Sequence, residues 1–442
     1  MKIVDLIVNA RWILPIAPEN KILENYALII KDHKIIDLLA QEKVSDIYQA
    51  ETVINKDHHV LMPGLINAHT HLAMSYYKGV GSDLPLNQWL SDYIWPSESA
   101  TVSAEYVYDA TKHALVECLR SGVSCVNDLY FYMNDVASAL SEAGMRGRLA
   151  HCIFNFETPW AKSVESSFEQ AENLINNLKN NQLISVAIGP HSPYAVDDQM
   201  MQRVIQLSKI HNLPIHIHLH ETKKEVDDYK EKYGVSPIVR FFEKGWLNEK
   251  TIGIHLTQLD EKDIDCIVKS KMKVVHCPES NMKLASGISP IQKLLDLGVT
   301  VAIGTDGSAS NNDIDMISEM KSASFLSKIA TGNPESISAK KALEMATING
   351  AKALGFESEI GSLEIGKSAD FIAIDFNYPE TLPVYDPFAQ IVYAASRNQV
   401  SDVWVNGKCL MDQYKLLTIN NDGLNQNQNK WSLKINQTIS SI

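Results

Sequence analysis

No two cysteines in this 442-residue chain have the CxxC spacing of a zinc ribbon or redox motif. Its six cysteines (Cys118, Cys125, Cys152, Cys266, Cys277 and Cys409) are scattered, which suits reduced thiols better than a disulfide framework. Runs of Lys or Arg are also missing. With 40 basic against 53 acidic residues, the formal net charge is −13. A phosphate backbone needs a concentrated basic surface, so nucleic acid is not an expected partner. No apolar run reaches the roughly 18–20 residues of a membrane span. The stretch Met1–Pro15 is interrupted by Asp5, Asn9 and Arg11 and lacks a signal-peptide core. A cytoplasmic protein without a membrane partner is therefore expected. Gly-rich dinucleotide or phosphate loops do not follow any strand-like run, which argues against a doubly wound nucleotide fold.

The composition, 45% hydrophobic and 21% charged, is that of a soluble globular chain long enough for one large domain and a satellite. The first sixty residues read as short strands: KIVDLIVNA, YALIIKDHKIIDL and ETVINKDHHVLM. FIAIDF, QIVYAA and DVWVNGKCLM near the other end look alike, with an Asn-Gly turn in the last. Residues 1–60 and 370–442 are expected to pair into one small β-sandwich domain, with an Asn/Gln-rich, loosely held tail. Residues 61–369 alternate differently. Eight strand-like runs, from LMPGLINAHTH to VTVAIGTDG, are separated by helical patterns. Such alternation implies parallel strands, and eight of them suit a closed (β/α)₈ TIM-like barrel in an α/β fold.

The polar exceptions sit where these runs end. His69 and His71 in NAHTH lie two apart and share a strand face. His216, His218 and His220 alternate in IHIHLHE, with Glu221 next. His191 ends IGPHSPY, His255 ends TIGIHL, and Asp306 follows four apolar residues in VAIGTDG. Buried imidazoles and a buried carboxylate need partners. A metal ion uses several at once, at the end of a barrel where active sites form. Imidazole plus carboxylate suits Zn²⁺, with Fe²⁺, Mn²⁺ and Ni²⁺ as chemical rivals, and ligands spread over several strands indicate a catalytic rather than a structural site. Strict alternation places Glu221 on the opposite face from His218, so it reaches the site only if the backbone bends.

The segments PGLINAHTHLAM, HIHLHET, HCPESNMKLASG and GTDGSASNN together resemble the amidohydrolase superfamily. The closer likeness is to its cytosine and guanine deaminases, triazine hydrolases and, above all, 5-methylthioadenosine/S-adenosylhomocysteine deaminases. The resemblance implies one divalent ion on His69, His71, His218 and Asp306. Glu221 is then the proton shuttle, and His255 orients the attacking water beside Asp306. Binuclear relatives carry a lysine at the end of the fourth strand; LISVAIGPHSPY has none, which favours a single ion. The implied substrate is an adenine nucleoside, 5′-methylthioadenosine or S-adenosylhomocysteine, with adenosine possible, released as the inosyl analogue and ammonia.

Glu98 matches the position that holds ribose hydroxyls, and His191 the one that contacts a purine nitrogen. Ser310 is expected to line the pocket, and Arg146 or Arg148 to receive a homocysteine carboxylate. Trp89, Trp95 and Trp160 are aromatic candidates for stacking. The competing readings are a deaminase of a free base or triazine ring, a hydrolase of cyclic amides, and a non-catalytic scaffold on the same fold. Relatives are commonly homo-oligomers, so a homo-oligomer is expected.

Overall fold

The structure, a computed structural model, describes residues 1–158, 160–420 and 423–441. Four strands come first: β1 (Lys2–Ile13), β2 (Leu23–Lys31), β3 (Lys34–Ala40) and β4 (Tyr48–Pro63). The run YALIIKDHKIIDL is a hairpin rather than one strand. Asp32 and His33 take φ of 49° and 66° between β2 and β3, the mirror-image turn that matches strand twist. The chain then enters β5 (Leu65–His71), β6 (Val123–Tyr130), β7 (Arg146–Ile153), β8 (Ile184–Pro190), β9 (Ile215–Leu219), β10 (Thr251–His255), β11 (Lys273–His276), β12 (Val301–Ile303) and β13 (Asp306–Gly307). It ends with β14 (Phe371–Asp375), β15 (Val400–Val405), β16 (Lys408–Asp412) and β17 (Lys415–Leu416).

The strands from β5 to β13 form one parallel sheet in the order β12-β11-β10-β9-β8-β7-β6-β5-β13. β12 and β13 are two pieces of the eighth barrel strand. The first pairs with β11, and the second crosses to β5, with Asp306 opposite Thr70 and Gly307 opposite His71. That change of neighbour closes the ring. It brings the chain so near β5 that a Cβ on Gly304 would stand 2.7 Å from the His69 backbone nitrogen. Glycine is required there for close approach. Helices between the strands cover the outside, as parallel sheets demand.

The termini build a second, mixed sheet in the order β17-β16-β15-β14-β4-β1-β2-β3. It curls until Lys34 bridges Ser368, just ahead of β14. Val8, Leu28, Ile30, Ile35, Phe371 and Trp404 fill the apolar core of this curl. Arg146, at the start of β7, fastens this sheet to the barrel. Its guanidinium donates to both carboxylate oxygens of Asp370, at 2.8 and 3.2 Å, and to Ser368 Oγ at 3.0 Å.

Two expectations are corrected. QIVYAA is not a strand. Asp386 caps a turn begun by Pro387, and Gln390–Ala394 continues it helically, so Ile391 and Val392 are buried from a helix. The Asn/Gln-rich tail is not loosely held either, because Leu424–Ile439 is a helix. It packs on the helices Trp95–Thr101 and Ala104–Arg120. Trp431 is buried edge-on against Tyr106 and donates its indole N–H to Asp109 at 2.8 Å; Asn427 donates to the other Asp109 oxygen at 2.8 Å. No helix among the described residues is long and apolar enough to cross a membrane.

Replacing Trp431 with Ala removes this anchor and leaves Asp109 half-satisfied. It should cost about 3 kcal/mol of stability. Denaturant unfolding measures this, and an unchanged midpoint would show that the helix does not dock in solution.

Candidate metal centre and active-site cavity

The period of two along β5 and β9 delivers the imidazoles. His69 and His71 share one face of β5, and His216 and His218 one face of β9, all near the carboxyl end of the barrel. The ligating atoms of His69, His71, His218 and Asp306 all lie within 4.8 Å of one another. Asp306 Oδ1 is 3.2 Å from Nε2 of both His69 and His71, and His218 Nε2 is 3.3 Å from His69 Nε2.

The partners of the opposite ring nitrogens establish that this set fits a cation. His71 Nδ1 donates to the Leu129 carbonyl, and His218 Nδ1 donates to the His191 carbonyl at 2.8 Å. Each ring in its neutral form therefore turns a bare Nε2 lone pair inward. His69 Nδ1 is fixed by His216 Nε2 at 2.8 Å. Lone pairs this close repel unless a positive charge lies between them. Burial holds the His69 imidazole down to about 4 and His218 well below its ordinary value, which keeps both neutral and ready to ligate. Burial acts the same way on His71, but its hydrogen bond and ion pair with Asp306 outweigh this and push it up to about 9. Burial would raise Asp306, yet the two imidazoles hold it well below the carboxylate range. Asp306 Oδ2 also accepts from Ser280 at 2.7 Å and Ser310 at 3.0 Å.

The bend that Glu221 needs is at His220. A left-handed φ of 52° breaks the alternation there. The His220 ring leaves the site, donating from Nδ1 to the Gln258 carbonyl at 2.7 Å and accepting the Ile238 N–H at 3.2 Å. Glu221 is thereby turned into the cavity, and burial raises its carboxyl. His255 and Asp306 are left-handed too, at φ of 75° and 62°. Such strained non-glycine residues cluster at functional sites. His255 Nδ1 is held by the Asn281 side-chain oxygen at 2.9 Å, leaving Nε2 toward Glu221 at 3.9 Å.

A cavity of about 400 Å³ opens over these residues and also takes in Glu98, His191 and Ser310. Its size is that of a small-molecule site. Glu98 accepts the Tyr130 hydroxyl at 2.5 Å, and burial pushes its carboxyl up to about 7. His191 stacks on Phe154 with centroids 4.9 Å apart, and burial lowers it to about 3. Its Nδ1 is buried without a partner. Trp89, Trp95 and Trp160 all line the cavity, and Trp160 stacks on Phe131 at 3.6 Å.

Arg146 and Arg148 are corrected, because neither lines the cavity. Arg146 is committed to Asp370, Ser368 and Glu359 at the amino-terminal end of β7. Arg148 lies over the Phe356 ring at 4.6 Å and donates to the Val186 carbonyl. Their places at the start of β7 put them at the opposite end of the barrel from the site. Conversely, the sequence gives no role to Tyr130, Ser280 or Asn281, and it places His216 only as one of an alternating trio. His216 had a signal, being two residues before His218; Ser280 and Asn281 stood inside the HCPESN motif.

Asp306→Asn should purify with little stoichiometric metal by elemental analysis. His216→Ala, which keeps all four ligands, should weaken metal affinity roughly 10–100-fold by freeing the His69 ring. Unchanged affinity in His216→Ala would deny it that role.

Comparison with known proteins agrees with this geometry. The model of the Amidohydrolase family matches residues 60–410. A 5-methylthioadenosine/S-adenosylhomocysteine deaminase of Saccharophagus degradans is 41% identical over 98% of this chain and 97% of its own. A 5′-deoxyadenosine deaminase of Methanosarcina acetivorans is 36% identical, covering 95% of each. The crystal structure of an adenosine deaminase from Xanthomonas campestris with bound zinc superposes with a TM-score of 0.97 at 39% identity, covering 99% of both chains. The matched span contains all four residues of the candidate metal centre, and the chain belongs to the amidohydrolase family of metal-dependent enzymes.

Proposed function

We propose that the protein hydrolytically deaminates the adenine ring of nucleosides, with 5′-methylthioadenosine and S-adenosylhomocysteine as its substrates and adenosine as a further one. The observation that carries this reading is the pairing, in one cavity, of the His/Asp centre with the buried Glu98 carboxylate. A carboxylate accepts two hydrogen bonds from a vicinal diol, which a ribose has and a free base or triazine lacks. The names of the relatives point the same way. The absence of a lysine at the end of β8 supports one ion, and the zinc in the Xanthomonas neighbour favours Zn²⁺.

A divalent ion, which His69, His71, His218 and Asp306 would hold, would supply acidity that lowers the pKa of a water towards neutrality. The chain's own groups do the rest. His255, fixed by Asn281, orients the attacking water together with Asp306. His191, with its free Nδ1, meets a nitrogen of the purine. Glu221, whose pKa burial raises, carries a proton to the ring nitrogen beside the attacked carbon. The water oxygen bonds to that carbon while its two protons pass, by way of Glu221, to the ring nitrogen and to the amino group; the exocyclic C–N bond then breaks and the amino group leaves as ammonia. Six unpaired thiols support a cytoplasmic setting, and a homo-oligomer remains part of the reading.

Glu221→Gln should abolish ammonia release with metal still bound; robust turnover would refute the shuttle role. A pH profile tests Glu98. Its ionised form accepts the diol, so KM for the nucleoside should fall roughly tenfold as pH rises from about 6 to about 8, through the raised pKa. Glu98→Gln should flatten that profile. A wild-type KM independent of pH would remove the ribose contact.

A further inference from the structure

Away from the histidines around the candidate metal centre, the cavity has no basic side chain among the described residues. Neither lysine nor arginine lines it, whereas Glu98, Glu157, Glu221 and Asp306 do. The residues outside the description (Pro159, Asn421, Asp422 and Ile442) include no cation. The two arginines nearest in the sequence face away, as described above. Lys283 neighbours the lining residue Leu284 but donates to the Ala309 carbonyl at 2.9 Å and to Asn312 at 2.6 Å. Lys162 is exposed, two residues beyond Trp160, and is not part of the lining.

Apart from Ser99, the wall that carries Glu98 is otherwise apolar. Leu86, Leu90, Ile94 and Glu98 fall at every fourth residue of one helical segment, and all four line the cavity. Trp95 and Phe156, both exposed, line it as well. A ribose held by Glu98 therefore extends its 5′ substituent along aliphatic and aromatic surface, with Glu157 as the charged group on the Phe156 side.

We propose that this cavity selects adenine nucleosides with a small, uncharged 5′ substituent, such as a methylthio group or hydrogen, and discriminates against those ending in an α-amino carboxylate. This inference rests on the adenine-nucleoside reading above and ranks its substrates. A thioether methyl gains by leaving water for the Leu90, Ile94 and Trp95 surface. A homocysteine tail brings a carboxylate that finds no lysine or arginine in the lining, where Glu157 is the charged group on its side. Its ammonium is able to pair with Glu157, but the carboxylate is left unpaired against an acidic site, and an unpaired charge is the costly case.

Ammonia release should be followed with zinc-reconstituted enzyme on four nucleosides: 5′-methylthioadenosine, 5′-deoxyadenosine, S-adenosylhomocysteine and the decarboxylated analogue of the last, which keeps the amine. The expected kcat/KM for the methylthio and deoxy compounds exceeds that for S-adenosylhomocysteine by about 100-fold. The decarboxylated analogue should recover most of the difference, and Glu157→Arg should raise the ratio of S-adenosylhomocysteine to methylthioadenosine turnover. Comparable kcat/KM for S-adenosylhomocysteine and methylthioadenosine would overturn the inference and leave the deaminase reading standing. A decarboxylated analogue as poor as its parent would also overturn it, because tail length would then be the cause. Inactivity on all four would instead sink the deaminase reading.

Discussion

Three imidazoles and a carboxylate aimed at one point are unstable without a cation, and the architecture is arranged around meeting that demand. The four candidate ligands come from β5, β9 and β13, strands that are far apart in sequence and meet at the site only in a closed ring. Closure depends on the eighth strand changing neighbours between β12 and β13, which is the step that swings Asp306 onto β5. The same step requires Gly304, because the chain passes too near His69 for any side chain. Barrel closure and metal-site assembly are thus one event seen from two sides.

Around the ligands runs a ring of holders. His216 steadies His69, the Leu129 and His191 carbonyls steady His71 and His218, and Ser280 and Ser310 steady Asp306. Each fixes a ring or a carboxylate at the atom not facing the centre, so each ligand enters with its orientation already set. Asn281 does the same for His255, and Tyr130 for Glu98. Catalytic geometry of this kind is preorganised by neutral groups, which add no competing charge to the cavity.

Period-two spacing made most of the centre readable. A histidine two residues from another on a buried strand shares its face wherever the strand lies, so His69, His71 and His218 announced themselves locally. Asp306 did so as an acid in an apolar run. Long-range facts left weaker traces. The partner of Arg146 is 224 residues away, and nothing near GMRGRLA signals it. The turn at His220 depends on a left-handed φ that its side chain does not advertise, unlike the Asn406-Gly407 turn, where both residues favour it. The C-terminal helix was misread because its exposed faces are Asn- and Gln-rich. Only Trp431 and Ile435 are buried along it, too few to set a visible period. QIVYAA was misread for the opposite reason: an unbroken apolar run suits a buried helix as well as a buried strand.

The same C-terminal helix links the two ends of the folding problem. It lies against the segment that carries Glu98, and its contact through Asn427 and Asp109 spans 318 residues of chain. A contact of such sequence separation forms only after most of the loop-closure entropy has been met. The wall that carries Glu98 is thus braced by a helix distant in the chain and not by its sequence neighbours alone.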